Sequence, residues 1–220
     1  MKQVIIAGGT GYVGLPLIEK LCAQRQHVFA IARPQSVSKI PNTCTAIPGD
    51  VLNAATYQDR IPSGAVFVHL VGVAHPAPWK GPQFQAVDLV SLEQSVTAAK
   101  RAAAEHFVLV SVAHPAPVMK AYIEVRTKCE EIVRQSGLKT TILRPWYVLG
   151  PGHRWPYALI PFYKLFEAIP STRTGAVRLG LVTRAQMVNA LAAAVASDPD
   201  ELRVLEPAQI RAVGSDAMKL

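Results

Sequence analysis

The chain has few cysteines, and its histidines show no pattern that would bind a metal. Its 220 residues contain three cysteines, Cys22, Cys44 and Cys129, which are odd in number and far apart. A disulfide framework or a zinc site would need closely spaced cysteines, so we predict reduced, mostly buried thiols. The six histidines have no ligand spacing either, and we expect no metal site.

Long hydrophobic runs, linkers and repeats are also missing. The apolar segment that starts at Val4 is too short for a signal peptide and runs into glycines, and no stretch approaches the length of a membrane span. We therefore expect a cytoplasmic protein that does not bind a membrane. Half of the residues are hydrophobic, which suffices for a large core, and we expect a single domain over residues 1–220.

Positive charge is in excess but is not clustered. The formal net charge is +8 at pH 7. Residues 1–110 carry nine Lys and Arg against six Asp and Glu, and residues 111–220 carry fourteen against nine, with no basic run. Nucleic-acid binding requires a clustered basic face, so we expect no nucleic-acid partner. A diffuse positive field suits a phosphorylated small molecule or an acidic substrate better.

A glycine-rich segment near the N-terminus predicts a phosphate-binding turn between a strand and a helix. Gly8, Gly11 and Gly14 follow the apolar run 4–7 and precede apolar residues at helical intervals. Gly8 would let the strand turn sharply, Gly11 would leave room for a pyrophosphate, and Gly14 would let the helix pack closely on the sheet. The helix N-terminus would offer N–H groups and a positive dipole end to the phosphates. This context favours a dinucleotide site over an ordinary turn.

Strand and helix signals alternate along the chain that follows. Near-continuous apolar runs at 27–33, 44–50, 65–72 and 106–112 are typical of parallel strands buried on both faces. Helices are expected at 83–104 and 118–135, and a further strand at 139–150. This alternation predicts an α/β fold of the Rossmann type, with a doubly wound parallel sheet.

Arg33 ends the second predicted strand and bears on the choice of dinucleotide. An acidic residue there holds the ribose hydroxyls of NAD, whereas an arginine can pair with the 2′-phosphate of NADP. Ser36 and Lys39 follow Arg33 closely, and no carboxylate stands at Ala32, so we predict NADP rather than NAD. The alternative for Arg33 is an exposed loop arginine. Asp50, after the third strand, is either an acceptor for the adenine amino group or an ordinary turn residue.

These segments together resemble an atypical or extended short-chain dehydrogenase/reductase, the group that contains NAD(P)H-binding epimerase-like and NmrA-like proteins. The resemblance covers residues 1 to about 155 and rests on GGTGYVG, GD after the third strand, HLVGVAHP after the fourth, VLVSV as the fifth, and YIEVRTKCEEIVRQSGLKTTILRPWYVLGPG. Farther along, 178–195 resembles a late strand and helix that pack beside the sheet, and 203–211 a final strand.

The resemblance also implies which residues bind the cofactor. They are Gly8, Gly9, Thr10, Gly11, Tyr12, Val13, Gly14, Arg33, Asp50, Val51, Leu70, Val71, Gly72, Arg126 and Pro145.

In active members of this group a tyrosine, a lysine four residues later and a Ser or Thr after the fifth strand carry the chemistry. Ser111 and Tyr122 match by order and spacing, and the tyrosine would exchange a proton with the substrate oxygen. Arg126 stands in the place of the lysine, on the same helix face as Tyr122, whereas Lys128 points elsewhere. An arginine can stabilise a phenolate and bind ribose, but it cannot relay a proton. The alternative for Tyr122 is a surface aromatic on an amphipathic helix.

Large side chains are concentrated after the sixth strand, where the resemblance implies that a loop lines the substrate pocket. The pocket candidates are Trp146, Tyr147, His153, Arg154 and Trp155, together with His75 and His114, each in an AHPAP sequence at the same sheet edge. The alternatives are an aromatic cluster over the sheet edge or a homodimer contact, and stiff loop walls for the two histidines.

Two functions remain open at this point. One is an NADP-dependent oxidoreductase acting on a small carbonyl, hydroxyl or enone compound, with Tyr122 as acid/base, Arg126 as support and Ser111 orienting the substrate oxygen. The other is a non-catalytic NADP-binding redox sensor or assembly factor. The segment after Gly152 is shorter than the substrate lobe of a sugar-nucleotide epimerase, so we expect a small substrate-side lobe from about 151–183 and a small ligand.

Overall fold

Nine strands are present in the part of the chain that the structure, a computed structural model, describes: residues 1–116, 118–151, 180–198 and 201–216. They are β1 (Gln3–Ala7), β2 (His27–Ala32), β3 (Thr45–Pro48), β4 (Val66–His69), β5 (His106–Val110), β6 (Thr140–Leu143), β7 (Tyr147–Leu149), β8 (Leu181–Thr183) and β9 (Leu202–Leu205).

Seven of these strands form one parallel sheet in the order β3-β2-β1-β4-β5-β6-β9, and β7 pairs with β8 in a separate parallel ribbon. The chain runs outward from β1 to β3 and then crosses back to β4 on the other side of β1. The strand order therefore reverses between β1 and β4, which is where doubly wound folds bind their ligands. The predicted fold class is confirmed.

Helices cover both faces of the large sheet. They are α1 (Gly14–Ala23), α2 (Gly81–Gln83), α3 (Val90–Arg101), α4 (Lys120–Gln135), α5 (Arg184–Ala196) and α6 (Pro207–Asp216), with a π-helical segment, Phe84–Leu89, between α2 and α3. Short 3-10 turns lie at Pro34–Lys39, Ala54–Thr56, Gln58–Arg60 and Pro78–Lys80. No helix in the described ranges has the length and apolarity needed to cross a membrane.

The hydrophobic core has one layer on each face of the sheet. Val4 and Ile6 of β1 pack with α1 and α5 on one face, and Ile5 and Ala7 pack with α3 and α4 on the other. Alternate side chains of a strand point to opposite faces, and here both faces are covered. This explains why the strands read as continuous apolar runs rather than as alternating ones. Cys44 and Cys129 are buried and Cys22 is half-buried, so the prediction of mostly buried thiols is confirmed.

The strands expected at 27–33, 44–50, 65–72 and 106–112 are present as β2 to β5 but end one to three residues early. Two further expected segments do not form a single strand over their length. The segment 139–150 forms two strands in different sheets, β6 and β7, because Pro145 has no N–H to continue the ladder. The segment 203–211 is a strand only as far as Leu205. Pro207 then starts α6, where its fixed φ suits the first helical position, and the Gln209 side chain accepts the Glu206 N–H at 2.9 Å.

The two expected helices lie where the periodicity placed them, with shifted ends. The first begins at Gly81 rather than 83, contains the π-helical segment Phe84–Leu89, and ends at Arg101 rather than 104. It ends early because Ala103 adopts a left-handed conformation with φ +47°. The second begins at Lys120 after the left-handed Met119 and ends at Gln135 as predicted.

Two buried neutral histidines make the fold sensitive to acid. His69 lies 3.0 Å from the Ser95 hydroxyl through Nδ1, and burial, followed by the charge of Arg126, lowers its pKa to about 3. His106 lies 3.0 Å from the Thr141 hydroxyl, and burial, followed by the charge of Lys2, lowers its pKa to about 4. In the unfolded chain both would protonate near pH 6.5.

We expect the free energy of unfolding to fall as the pH drops below 6.5, because the unfolded chain then binds protons that the fold excludes. The loss continues down to the folded pKa values of about 3 and 4. Each histidine should cost about 2 kcal/mol between pH 7 and pH 5. Urea unfolding of His69→Gln should show a shallower pH dependence than the wild type, whereas substitution of the exposed His27 should leave the slope unchanged. Equal slopes for the wild type and His69→Gln would contradict the prediction.

Candidate functional site

The glycine turn after β1 lies against the end of β4. Gly8 has φ +89°, a left-handed conformation that glycine adopts without strain, and its carbonyl accepts the Gly11 N–H at 3.1 Å. A Cβ at Gly8 would lie 3.0 Å from the Leu70 carbonyl carbon and 3.2 Å from the Val71 nitrogen. The sharp turn predicted at Gly8 is confirmed, and the turn directly adjoins the loop that follows β4.

Gly9 and Gly14 each allow a different close contact in this turn. A Cβ at Gly14 would contact the Gly8 carbonyl oxygen and lie 2.7 Å from the Gly9 oxygen. Gly14 therefore lets the first turn of α1 approach the glycine turn itself, and not the strands as expected. The close approach to the sheet occurs at Gly9, where a Cβ would lie 3.0 Å from Cβ of Ala30 on β2.

The N-terminus of α1 fits an anionic group. Val13 precedes the helix and supplies no side-chain cap, and the first turn contains no acidic residue. Leu15 N–H already donates to the Gly11 carbonyl at 3.2 Å, and Pro16 has no N–H. Within the described residues this first turn therefore offers the Gly14 N–H and the positive end of the helix dipole to an anion. A Cβ at Gly11 would meet the Gly8 oxygen at 3.2 Å and no other described atom within 4 Å, so space remains beside the turn. These features suit the pyrophosphate of a dinucleotide.

The ends of β2 and β3 present the residues expected at the adenosine side. Arg33 directly follows β2 and is exposed, and Ser36 and Lys39 lie in the 3-10 turn after it. Within the described residues Arg33 has no acidic partner. Asp50 is half-buried, and its carboxylate accepts the Leu52 N–H at 3.0 Å. One carboxylate oxygen thus closes a local turn between Asp50 and Leu52, with Val51 between them.

Tyr122 and Arg126 lie on one face of α4, as their spacing predicts. The Arg126 guanidinium carbon lies 5.3 Å from the centroid of the Tyr122 ring, and the centroid of the Phe84 ring lies 5.0 Å from it. Lys128 is exposed on a different face. Burial lowers the pKa of Arg126, but the neighbouring Tyr122 and Asp88 outweigh it and the net shift is upward. Arg126 therefore carries a permanent positive charge next to the phenol.

Asp88 is a residue of this site that was not predicted. It lies in the π-helical segment Phe84–Leu89, its side chain is fully buried, and its Oδ1 is 2.7 Å from Nη2 of Arg126. A signal was available, because Asp88 falls on the same helix face as Leu92 and Val96. A carboxylate on an apolar face must find a partner when it is buried.

A second buried carboxylate, Glu130, holds the ends of β5 and β6 together. It lies one helical turn after Arg126, and its oxygens accept hydrogen bonds from Arg144 at 2.5 and 2.9 Å and from Arg134 at 2.7 Å. Burial raises the pKa of Glu130, but the hydrogen bonds and charge of Arg144 outweigh it, and the pKa is lowered. Arg144 also binds Glu206 at 2.8 Å, so the network links α4, β6 and the segment before α6.

Ser111 and His114 lie beside this network. Ser111 follows β5 and is buried, and its hydroxyl falls short of a normal hydrogen bond to any described residue. His114 is one-fifth exposed, and its Nε2 lies 3.5 Å from a Glu130 oxygen. The Ala113 N–H donates to the Pro145 carbonyl at 3.0 Å, which ties the loops after β5 and β6 together.

The other predicted pocket residues are only partly placed. Trp146 and Tyr147 are half-buried at the start of β7, and His75 is exposed in the loop after β4 with φ +49°. His153, Arg154 and Trp155, with most of the expected lobe at 151–183, lie outside the described residues. In the described part of the chain, no group of three or more His, Cys, Asp or Glu side chains is arranged to hold a metal ion.

The fold and the glycine turn define a dinucleotide-binding protein of the Rossmann type. A family profile described as NAD(P)H-binding matches residues 8–160. The chain therefore belongs to the NAD(P)H-binding family. The resemblance found in the sequence is confirmed, and the cofactor is NAD(P).

Known proteins show the same relationship. The chain is 27% identical over 152 residues to ceramide reductase from Caulobacter vibrioides. The aligned residues are 68% of this chain and 47% of that relative, so the chain spans about half of the relative's length. Its fold matches the oxidoreductase ylbE from Lactococcus lactis with a TM-score of 0.71 at 17% identity, covering 99% of this chain and 97% of the other. It also matches WbmH from Bordetella bronchiseptica, solved with NAD+, with a TM-score of 0.70 at 19% identity, covering 100% and 82%.

Proposed function

We propose that the protein is an NADP(H)-dependent oxidoreductase that acts on a small carbonyl, hydroxyl or enone compound. The observation that carries the proposal is the packing of Tyr122 against the Arg126 guanidinium, 5.3 Å from its ring centroid, beside the ends of β4 and β5. In a Rossmann sheet this edge faces the nicotinamide half of the dinucleotide, on the other side of β1 from β2.

Each residue would have a separate task. When bound, the dinucleotide supplies or accepts the hydride. Tyr122 would give a proton to the substrate oxygen during reduction and take it back during oxidation. Arg126 would stabilise the phenolate by its charge, without relaying a proton, because a guanidinium does not deprotonate in proteins. The Ser111 hydroxyl, which has no described hydrogen-bond partner, would orient the substrate oxygen.

The preference for NADP rests on Arg33. Its exposed guanidinium follows β2, with Lys39 nearby, where the fold brings the adenosine ribose. We expect NADPH to bind at least about tenfold more tightly than NADH, because a charge-assisted bond to phosphate adds roughly 1.5 kcal/mol or more. Fluorescence titration should show that Arg33→Ala removes most of the difference in affinity between NADPH and NADH. The control is Arg25→Ala, an exposed arginine before β2, which should preserve that difference. Equal affinities in the wild type would overturn the NADP assignment.

A non-catalytic sensor or assembly factor is the second candidate. It is favoured by Arg126, which replaces the proton-relaying lysine and hydrogen-bonds to the backbone carbonyls of Val71 and Val110 at 3.2 Å. NADPH consumption with a panel of aldehydes, ketones and enones separates the two functions. Ceramide, whose oxidisable groups are hydroxyls, is tested separately with NADP+ because of the relative named above. Turnover of any member supports the enzyme, and tight NADPH binding without turnover supports the sensor.

A further inference from the structure

Asp88 and Arg126 form a buried ion pair beneath the proposed cofactor site. The Asp88 side chain is 0% exposed and the Arg126 side chain 6%, and Oδ1 and Nη2 are 2.7 Å apart. Removing either partner of such a pair would leave a buried charge uncompensated. Each charge of the pair is therefore compensated by the other.

Asp88 Oδ2 and the two terminal nitrogens of Arg126 hold one loop, while Nε of Arg126 is buried with no hydrogen-bond partner among the described residues. Asp88 Oδ2 accepts the Val73 N–H at 3.0 Å, and Arg126 Nη2 donates to the Val71 carbonyl at 3.2 Å. Arg126 Nη1 donates to the carbonyl of Val110, the last residue of β5, also at 3.2 Å. The pair thus fixes the backbone of residues 71–73 and ties this loop to β5.

Gly72 shows how closely this loop covers the pair. A Cβ at Gly72 would contact Nη2 of Arg126 and lie 3.2 Å from Oδ1 of Asp88. The same loop adjoins the glycine turn, since a Cβ at Gly8 would lie 3.2 Å from the Val71 nitrogen. A shift of the pair would therefore move the backbone of residues 71–73, which lies between the glycine turn and the end of β5.

We propose that Asp88 and Arg126 act together as positioning residues that hold the loop 71–73 against the nicotinamide half of the dinucleotide. The inference rests on the proposed function, because it requires the dinucleotide to bind at this sheet edge. Arg126 would then act on the cofactor through the loop and not as a direct ribose ligand, since its two terminal nitrogens face Asp88, Val71 and Val110 and its Nε is buried.

The geometry requires arginine at position 126. One planar fork reaches a carboxylate and two carbonyls, one in the loop after β4 and one at the end of β5. An ammonium is a compact point charge that cannot keep all three contacts in one place. Arg126→Lys would recreate the common tyrosine–lysine spacing, yet we expect it to weaken cofactor binding.

The test is isothermal titration of wild type, Asp88→Asn and Arg126→Lys with two probes, NADPH and adenosine 2′,5′-bisphosphate. The second probe contains the adenosine half only. Both variants should bind NADPH at least about tenfold more weakly, while the affinity for adenosine 2′,5′-bisphosphate changes less than about twofold. Arg126→Lys keeps the positive charge and serves where Asp88→Asn does not fold.

Glu130→Gln is the matched control, because it breaks a buried ion pair on the same helix that does not touch residues 71–73. It should lower the urea midpoint but leave the affinity for NADPH unchanged. Unchanged NADPH affinity in both test variants, or an equal loss for the two probes, would overturn the inference. Failure of the wild type to bind either NADPH or NADH would instead overturn the proposed function, and this inference with it.

Discussion

Gly14→Ala is expected to destabilise the fold by about 3 kcal/mol and to abolish dinucleotide binding. The new Cβ would contact the Gly8 carbonyl oxygen and lie 2.7 Å from the Gly9 oxygen and 2.8 Å from the Gly9 carbonyl carbon. These are backbone atoms of the turn, and they can move away only if the turn opens or α1 shifts. Either movement misaligns the N–H groups that would bind the pyrophosphate. Urea unfolding and titration with NADPH measure the two losses.

Gly81→Ala is the matched control for this substitution. Gly81 begins α2 with φ −45° and ψ −53°, and a Cβ there would meet Ala121 Cβ at 3.7 Å, an ordinary contact. Its unfolding free energy should stay within about 1 kcal/mol of the wild type or rise, since alanine suits a helix better than glycine. If Gly14→Ala unfolds at the same urea concentration as the wild type, the account of the turn is wrong.

Tyr122→Phe is expected to lower turnover by about 10²- to 10⁴-fold, the usual contribution of a general acid. The substitution removes the hydroxyl and keeps the ring that packs against Phe84 at 5.0 Å and Arg126 at 5.3 Å. The free energy of unfolding and the affinity for NADPH should therefore stay close to the wild-type values. Steady-state rates with the carbonyl compound that the wild type reduces best provide the measurement.

Tyr57→Phe gives a control of the same chemistry away from the site. Tyr57 is 1% exposed in the core below β3, and loss of its hydroxyl should leave turnover unaltered. Wild-type turnover in Tyr122→Phe would exclude Tyr122 as the proton donor. His114, beside Glu130 at 3.5 Å, would then be the first alternative to test.

Much of the fold follows from short-range patterns. A near-continuous apolar run is typical of a strand covered on both faces, and spacing at helical intervals is typical of an amphipathic helix, so the alternation of elements was evident. The boundaries were less certain, because they depend on single residues. Pro145 divides one expected strand into β6 and β7, and Pro207 converts the end of another into α6.

The site was predicted unevenly for a similar reason. Tyr122 and Arg126 are one helical turn apart, so their common face could be derived from the sequence. The partner of Arg126 is 38 positions earlier, at Asp88, and no local pattern connects them. Arg134, one helical turn after Glu130, could be paired with it from spacing alone, but its other partners are Arg144, after β6, and His114, after β5. Only the sheet order brings these charges together.

By itself the sequence determined the alternation of strands and helices, the glycine turn at Gly8 to Gly14, and the family, because these are encoded by residues that are neighbours in the chain. The tertiary structure decided which buried charges pair. Burial makes an unpaired charge costly, and the topology alone determines which opposite charge is within reach. The spacing of Tyr122 and Arg126 predicted their shared helix face. The structure showed that Arg126 is held by Asp88 and by the backbone at the ends of β4 and β5.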